Sequence, residues 1–313
     1  MTVGIVGPGR AGLGLALALR RAGVRVLGVH GRRRKPVPRG VPLSVGGLPP
    51  WIADADVVLL AVRDDALPGL VRELACARAL GRAQVVLHLS GAQPAAVLDP
   101  LRRRGAAVGA MHPLMTVSAD PRHAAERFRG AAFALDGDPA AVRAARRLAR
   151  ALGGRPVAIA AGAKARYHAG AVFASNYVVA LLAVAEDLLV ASGFARHAAR
   201  RALAPLTQAS VDNVAAYGPA RALTGPLARG DVRTLRRHLA ALPAPVRRLY
   251  TELGRATLEL AKRGGLDAPA ARRVAKQLGW VCARGSSRGS ATVAKATMHR
   301  RLSGRAERRL QPP

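Results

Sequence analysis

A glycine-rich turn close to the N-terminus places the strongest constraint on the fold. The apolar run Thr2–Val6 suits a strand, and the Ala/Leu-rich run Leu13–Leu19 suits a helix. Between them lies a G-x-G-x-x-G pattern, and a strand–turn–helix context is where this pattern indicates dinucleotide binding. We therefore predict a Rossmann-type, mostly parallel α/β sheet and a cofactor bound by the whole turn, which consists of Gly7, Pro8, Gly9, Arg10, Ala11 and Gly12.

Each glycine of the turn has a separate role in this interpretation. Gly7 allows the tight turn, Gly9 lets the backbone approach a pyrophosphate, and Gly12 lets the helix pack closely on the strand. The phosphates would then bind free N–H groups at the positive end of the helix.

The composition narrows the class of protein. A chain of 313 residues is long enough for about two domains, and a hydrophobic content of 50% excludes wholesale disorder. Cys76 and Cys282 are too few for a disulfide framework, and no Cys/His spacing predicts a metal site. Because the first strand begins at residue 2, we also expect no secretory signal. Together these features predict a cytoplasmic protein without a bound metal.

The net charge of +32 would suit a nucleic-acid-binding protein. However, the basic residues are spread along the chain, aromatic residues for base stacking make up only 3%, and no DNA- or RNA-reading motif is present. Only five of the fifty basic residues are Lys, and Ala is abundant, a pattern typical of codon bias in a GC-rich genome. We therefore expect no specific nucleic-acid partner.

The end of the second predicted strand indicates which dinucleotide binds. Val24–His30 alternates as a strand does, and the basic segment Gly31–Lys35 that follows contains no carboxylate. NAD-binding domains usually carry an acid here for the ribose hydroxyls, whereas a guanidinium can hold a 2′-phosphate through two hydrogen bonds. The alternative is a solvated basic loop. We predict NADP(H) as the cofactor, with Arg32 and Arg33 as ligands of the phosphate.

Three further strands are predicted to end in residues suited to ligand binding. They are Val57–Val62, Gln84–Leu89 and Ala106–Met111, and ligands of open α/β sheets bind at the carboxyl ends of the strands. This position predicts further cofactor contacts from Ala61, Val62, Ser90 and Gly91. His112, expected in the loop after the last of these strands, would either bind substrate or orient a helix. Two more strands, Ala131–Leu135 and Arg155–Ala160, complete a predicted NADP-binding domain of residues 1–161.

After residue 161 the strand patterns end, and Ala/Leu-rich helices predict an all-α domain of residues 162–280 for substrate binding and dimerisation. On one regular helix, Lys164, His168 and Ser175 would lie within about 40° of one face, with Asn176 on the neighbouring stripe. A buried lysine needs a counter-charge or a ligand, and burial lowers its pKa.

These four residues are therefore candidates for catalysis. Lys164 could protonate the oxygen of a carbonyl substrate, and His168, Ser175 and Asn176 could orient the substrate or tune the lysine. The structural alternative is that Lys164 extends from the helix start to solvent and that His168 caps an interface.

Three other features of this half lead to expectations. The apolar run Ala169–Ala185 falls short of a membrane span and ends at Glu186, so we expect it to be buried in the helical domain or in a dimer interface, without a membrane partner. Arg229, in the segment Leu223–Asp231, could bind a substrate carboxylate. Residues 281–313 form a basic stretch that we expect to be a disordered tail.

Six motifs of residues 2–280 together resemble one family: GPGRAG, Leu60–Asp65, Leu89–Ala92, His112-Pro113, the helix Lys164–Asn176, and Leu223–Asp231. The chain is similar to the Rossmann-like oxidoreductases whose C-terminal half is a domain of unknown function. That group is similar in turn to ketopantoate reductases, pyrroline-5-carboxylate reductases and 3-hydroxyisobutyrate dehydrogenases. The resemblance implies NADP(H), a crevice between the domains and dimers formed through the helical half. It also implies that Lys164 matches a catalytic helical lysine of the hydroxyacid and ketopantoate branches.

These observations predict an NADPH-dependent reductase of a small 2-oxo acid, with 2-dehydropantoate as the leading single substrate. Two alternatives stay open. The substrate could be a cyclic imine similar to pyrroline-5-carboxylate, or the protein could be a sensor that binds NADP(H) without catalysis.

Overall fold

The structure is a computed structural model that describes residues 1–81 and 83–280. The predicted tail, residues 281–313, therefore lies outside the described residues. Contacts along the chain divide it into two compact units, of which the first is Met1–Leu181 and the second begins at Leu182. The domain boundaries predicted from the sequence stay predictions.

An eight-stranded sheet forms the centre of the first unit. Its strands lie in the order β3-β2-β1-β4-β5-β6-β7-β8, and all neighbours are parallel except β6 and β7. The strands are β1 (Thr2–Val6), β2 (Arg25–Gly31), β3 (Leu43–Val45), β4 (Val57–Leu60), β5 (Val85–His88), β6 (Ala107–Leu114), β7 (Ala132–Gly137) and β8 (Arg155–Ala158). The Rossmann-type, mostly parallel sheet is thus confirmed. The order of its strands reverses between β1 and β4, the point at which such sheets bind ligands.

The short connection between β2 and β3 has no helix, as the prolines and glycines of residues 36–50 predict. The connections after the other strands contain α1 (Arg10–Arg21), α2 (Leu67–Cys76), a 3₁₀ turn (Ala95–Leu98), α3 (Asp99–Arg102), α4 (Pro121–Arg127) and α5 (Pro139–Ala151). After β8 follow α6 (Lys164–Ala174) and α7 (Asn176–Ala191), and the second unit begins within α7.

Two hydrophobic clusters cover the two faces of the sheet. Alternating residues of β4 contribute to each, because successive side chains of a strand point to opposite faces. Val57 and Leu59 belong to the cluster that contains Leu15 of α1, and Val58 and Leu60 to the cluster packed against α2. The central strand β4 is therefore apolar on both sides. Its packing on both faces fixes the positions of the ends of β1 and β4, next to the glycine turn.

The second unit is helical throughout its described residues. Its helices after α7 are α8 (Arg196–Tyr217), α9 (Pro219–Ala222), α10 (Pro226–Arg229), α11 (Val232–Ala241), α12 (Ala244–Arg263) and α13 (Ala268–Gln277). Leu235, Leu258, Val274 and Leu278 form its small core. Asp231 caps α11 by accepting a hydrogen bond from the backbone N–H of Thr234, at 3.0 Å.

The prediction of one regular helix through Lys164 and Ser175 is wrong. Helix α6 ends at Ala174, Ser175 has φ −128° and ψ −75°, and α7 starts at Asn176. The Ser175 hydroxyl donates to the backbone oxygen of Ala171 at 2.7 Å, a local bond that competes with the helical pattern. Lys164 and His168 still share α6, whereas Ser175 and Asn176 lie at the joint between two helices.

The apolar run across this joint is exposed in the single chain, so the expectation that it is buried within the helical domain is wrong. Phe173 is 68% exposed. By length and composition alone, the stretch Lys164–Ala191 could cross a membrane. One stretch of this kind is weak evidence for a membrane span. A dimer interface, the other expectation for this run, is consistent with its exposure.

Candidate active site

The turn after β1 depends on two glycines for its shape. Gly7 has φ +115°, which disfavours any side chain, and a Cβ there would lie 2.5 Å from the backbone oxygen of Ala61 on the adjoining segment. A Cβ on Gly12 would collide with the backbone oxygen of Gly7. These two positions hold β1, α1 and the end of β4 in close contact.

Gly9 differs from the other two glycines because it faces open space. A Cβ there would lie 3.9 Å from its nearest neighbour, the backbone oxygen of Ala61. Gly9 is also the N-cap of α1, and no side chain hydrogen-bonds to the start of this helix. The first N–H groups of α1 are thus available to an anion. An open backbone position and an uncapped helix of 12 residues fit a pyrophosphate.

A groove of about 730 Å³ runs along the carboxyl ends of β1, β2 and β4. The predicted cofactor residues on its lining are Gly7, Pro8, Gly9, Arg32, Arg33, Ala61 and Val62. Arg10, Ala11 and Gly12 belong to the first turn of α1 and do not line the groove. Ser90 and Gly91, from the end of β5, are not among the residues that line it.

Several wall residues of the groove have no cofactor role in the sequence predictions, notably His30, Arg63 and the loop after β3. His30 is buried, its Nε2 lies 3.2 Å from the backbone oxygen of Gly47, and its Nδ1 lies 2.9 Å from the Ser44 hydroxyl. Because a carbonyl oxygen only accepts, Nε2 donates and Nδ1 accepts from Ser44. His30 therefore ties this loop to β2. Its position at the strand end was visible in the sequence, but its partners were not.

A second cavity, of about 740 Å³, lies between the end of β6 and the joint of α6 and α7, within the first unit. It brings together four predicted site residues, His112, His168, Ser175 and Asn176. Tyr167 and Thr116 also line it, and the sequence reasoning assigned them no role. The Ser175 hydroxyl oxygen also lies 2.9 Å from the side-chain amide oxygen of Asn176, so these two polar groups form a pair at the cavity surface.

His112 is part of β6 and does not lie in a loop, which corrects the prediction. The strand extends to Leu114 because it pairs antiparallel with β7, where His112 is opposite Ala134. Its Nδ1 lies 2.7 Å from the Tyr167 hydroxyl. Burial, assisted by the charge of Lys164 and by His168, lowers the pKa of His112 to about 4. The imidazole is therefore neutral at pH 7.

Lys164 is buried at the start of α6, with 4% of its surface exposed. This excludes the alternative in which its side chain extends to solvent. Among the described residues its Nζ has no hydrogen-bond partner. Burial lowers the pKa of Lys164 to about 8, while the charges of Asp136 and Asp64 oppose this change. A buried ammonium without a hydrogen bond is costly, and a ligand that pairs with it would remove that cost.

The neighbourhood of Lys164 contains a second unpaired group. The Nδ1 of His168 is buried and has no hydrogen-bond partner among the described residues. A Cβ on Gly91 would lie 2.5 Å from this atom and 2.8 Å from Nε2 of His112. Because Gly91 has no side chain, these two imidazole nitrogens can both lie close to its backbone. Its predicted cofactor contact stays a prediction, as does that of Ser90, whose hydroxyl oxygen accepts from the N–H groups of Ala92 and Gln93.

Arg229 is the one predicted site residue in the second unit. It is exposed in the last turn of α10. Its role toward a substrate carboxylate stays a prediction.

Known family models match both halves of the chain. A family model described as a Rossmann-like domain matches residues 1–113, and the model of the domain of unknown function DUF2520 matches residues 131–257. A comparison with curated proteins by sequence finds no match.

Solved structures share the fold over most of their length. A candidate NADP oxidoreductase from Bacteroides fragilis has a TM-score of 0.64 at 21% identity, with 82% of this chain and 96% of that chain covered. A protein from Thermotoga maritima has a TM-score of 0.63 at 22% identity, with 83% and 98% covered. An imine reductase from Myxococcus stipitatus, solved with NADP⁺, has a TM-score of 0.52 at 19% identity, with 88% and 99% covered. The chain therefore carries a Rossmann-like domain followed by a DUF2520 domain, which confirms the family that its motifs resemble.

Proposed function

We propose that the protein is an NADP(H)-dependent reductase of a small 2-oxo acid, with 2-dehydropantoate as the leading single substrate. One observation carries this proposal. The first unit combines a groove suited to a dinucleotide with a second cavity around His112 and His168, close to a buried lysine. The fold shared with an imine reductase solved with NADP⁺ supports the choice of cofactor.

The groove supports a specific set of proposed cofactor contacts. The N-terminus of α1 and Gly9 would hold the pyrophosphate, because the helix start is uncapped and the glycine leaves room. Arg32 and Arg33 would hold the 2′-phosphate, since both line the groove. NADPH, when bound, supplies a hydride.

The second cavity favours an anionic carbonyl substrate over a preformed iminium cation. Its lining, drawn from described residues, contains no carboxylate, and its polar groups are the side chains of Thr116, His112, Tyr167, His168, Ser175 and Asn176. The ammonium of Lys164 contributes positive potential, which is evident from its effect on the pKa of His112. Hydroxyl, amide and imidazole donors can all bind a carboxylate.

Asn176 and Ser175 would hold the substrate at the joint of α6 and α7, and Lys164 would be the source of the proton that ends on the substrate oxygen. With a pKa of about 8, Lys164 is mostly protonated at pH 7. A general acid of this kind loses its proton, and with it its catalytic role, as the pH rises through its pKa. We therefore expect activity to fall above about pH 8.

The test is the loss of nicotinamide absorbance with NADPH and 2-dehydropantoate, measured from pH 6 to 10, in wild type, Lys164→Met and Lys276→Met. Lys276 is an exposed lysine of α13 and serves as the matched control. We expect turnover by wild type and Lys276→Met, and a loss of roughly 100-fold or more in Lys164→Met with NADPH affinity retained.

Other outcomes would favour the alternatives. Turnover of pyrroline-5-carboxylate alone, kept in Lys164→Met, would replace the 2-oxo acid proposal with imine reduction. Tight NADPH binding with no turnover of either substrate would replace it with a sensor.

We also propose that the protein is a cytoplasmic homodimer formed through its helical half. Phe173 on α6 and Leu206 on α8 are 68% and 66% exposed. A lipid partner fits less well than a second copy, because Glu186 of α7 forms ion pairs with Arg196 and Arg200 of α8 at 2.6 Å. Charged groups in such a network are costly in hydrocarbon but are accommodated in a protein interface.

A further inference from the structure

We propose that Tyr167 is the catalytic residue that passes the proton to the substrate oxygen, and that His112 positions its hydroxyl group. This inference rests on the proposed reductase function and extends it. It separates the group that touches the substrate from Lys164, which does not line the second cavity.

The contact between Tyr167 and His112 joins two elements that are far apart in the chain. Tyr167 comes from α6 and His112 from β6, and the hydroxyl oxygen lies 2.7 Å from Nδ1. The two rings meet edge to face, with an interplanar angle of 84°. His112 also meets the ring of His168 edge to face, at an interplanar angle of 82°. The pairing of β6 with β7 fixes the backbone from which the imidazole extends, and the contacts with Tyr167 and His168 position the ring.

The position of Tyr167 suits a proton donor better than that of Lys164. Both Tyr167 and His112 line the second cavity, whereas Lys164 is not among its lining residues. A group must approach within hydrogen-bond distance of the oxygen that it protonates. Tyr167 is half-buried, so its hydroxyl is accessible from the cavity while its ring is held by packing.

The neutral state of His112 allows its Nδ1 to be the donor in the hydrogen bond to Tyr167. A neutral imidazole carries one N–H, on either Nδ1 or Nε2. If Nδ1 carries it, this N–H donates to the Tyr167 oxygen, and the phenolic O–H is free to point to the substrate. The buried, positive surroundings that keep His112 neutral therefore allow it to act as a fixed donor to Tyr167.

The step balances with NADPH as the reductant. A hydride adds to the carbonyl carbon, the π electron pair of C=O moves to oxygen, and that oxygen takes the phenolic proton of Tyr167. The products are a 2-hydroxy acid, NADP⁺ and a phenolate that accepts the Nδ1–H bond of His112. The ammonium of Lys164 then supplies the proton that restores the phenol, and solvent reprotonates Lys164. Burial raises the pKa of Tyr167 to about 12, so the phenol stays protonated until alkoxide charge develops.

The chain offers a matched control for the first experiment. His238 and Tyr250 form the same kind of pair in the second unit, with Nδ1 and the hydroxyl at 2.9 Å and an interplanar angle of 89°. We expect Tyr167→Phe to lower kcat by roughly 100-fold or more, with the Kd for NADPH unchanged. Tyr250→Phe should change neither value.

A second experiment tests the role of His112 through its two nitrogens. An asparagine amide can place an N–H near the position of Nδ1, whereas a glutamine amide reaches the position of Nε2. We therefore expect His112→Asn to keep much more activity than His112→Gln. A requirement for ring packing alone would affect both variants alike and would overturn the positioning role.

A third measurement does not depend on turnover. The tyrosinate absorbance of wild type minus that of Tyr167→Phe, followed with pH, reports the ionisation of Tyr167 alone. We expect it to titrate well above the ordinary range of tyrosine. Titration at an ordinary tyrosine pKa would contradict the buried contact with His112.

The outcomes separate this inference from the proposed function. Wild-type turnover together with full activity of Tyr167→Phe would overturn the role of Tyr167 and leave the reductase proposal intact. No turnover by wild type would overturn the reductase proposal, and the inference with it.

Discussion

The proposed contacts of Arg32 and Arg33 with the 2′-phosphate would make cofactor choice depend on two side chains. Both line the groove after β2, and a 2′-phosphate is the part of NADPH that NADH lacks. A hydrogen bond to a charged group contributes about 1.5–3 kcal/mol. We expect Arg32→Ala combined with Arg33→Ala to weaken NADPH binding by roughly 100-fold and NADH binding by less than about threefold, since every 1.4 kcal/mol is tenfold in Kd.

Fluorescence titration with the two cofactors measures this difference. Arg34→Ala is the control, because Arg34 lies in the same exposed segment but is not among the residues that line the groove. Equal weakening of NADPH binding and NADH binding would show that these arginines do not bind the 2′-phosphate.

Single residues also show where sequence reasoning reaches its limit. Gly7 and Gly9 could be assigned because a motif fixes their spacing, and their geometry fits a pyrophosphate. The contact of Tyr167 with His112 could not, because it joins residues 55 positions apart. No local pattern encodes such a contact, since it depends on how α6 packs against β6.

Among the elements, the turn between β1 and α1 contains one glycine that is needed for folding and another that is expected to affect only cofactor binding. A methyl group on Gly12 would collide with the backbone of Gly7, whereas one on Gly9 would fit but extend toward the groove. We expect Gly12→Ala to lower the free energy of unfolding by about 1–3 kcal/mol, as overpacking does. Gly9→Ala should unfold like wild type and bind NADPH at least roughly tenfold more weakly, a loss of about 1.4 kcal/mol.

Thermal unfolding without cofactor and NADPH titration test the two variants side by side. If Gly9→Ala binds NADPH as tightly as wild type, the pyrophosphate does not lie on this turn.

The strands were easier to predict than the joints between elements. Buried parallel strands such as β4 are continuous apolar runs, which the sequence shows directly. β6 runs three residues further than predicted because β7 pairs with it from the opposite direction. The break at Ser175, where the side chain hydrogen-bonds to the backbone of Ala171, is not revealed by helical periodicity.

For the molecule as a whole, the exposed apolar side chains of α6 to α8 predict a self-association surface. A charged residue buried in an apolar interface carries a large desolvation penalty. We expect wild type to sediment as a dimer, and Phe173→Arg and Leu206→Arg each to raise the dimer Kd by roughly 100-fold, about 2.7 kcal/mol.

Analytical ultracentrifugation measures this association. Val157→Arg is the control, because Val157 is 51% exposed on β8 at the edge of the sheet. A monomeric wild type would contradict the homodimer, and binding of wild type to lipid vesicles would assign the apolar surface to a membrane instead.

The bare connection between β2 and β3 has a consequence for how such a protein evolves. Its first residues, Arg32 to Lys35, are all exposed and contribute nothing to either hydrophobic cluster. Mutations there escape the stability penalty that constrains core positions. A lineage with this fold can therefore change its preference between phosphorylated and unphosphorylated dinucleotides through a few surface substitutions that leave stability unaffected, while selection on folding continues to preserve the sheet beneath.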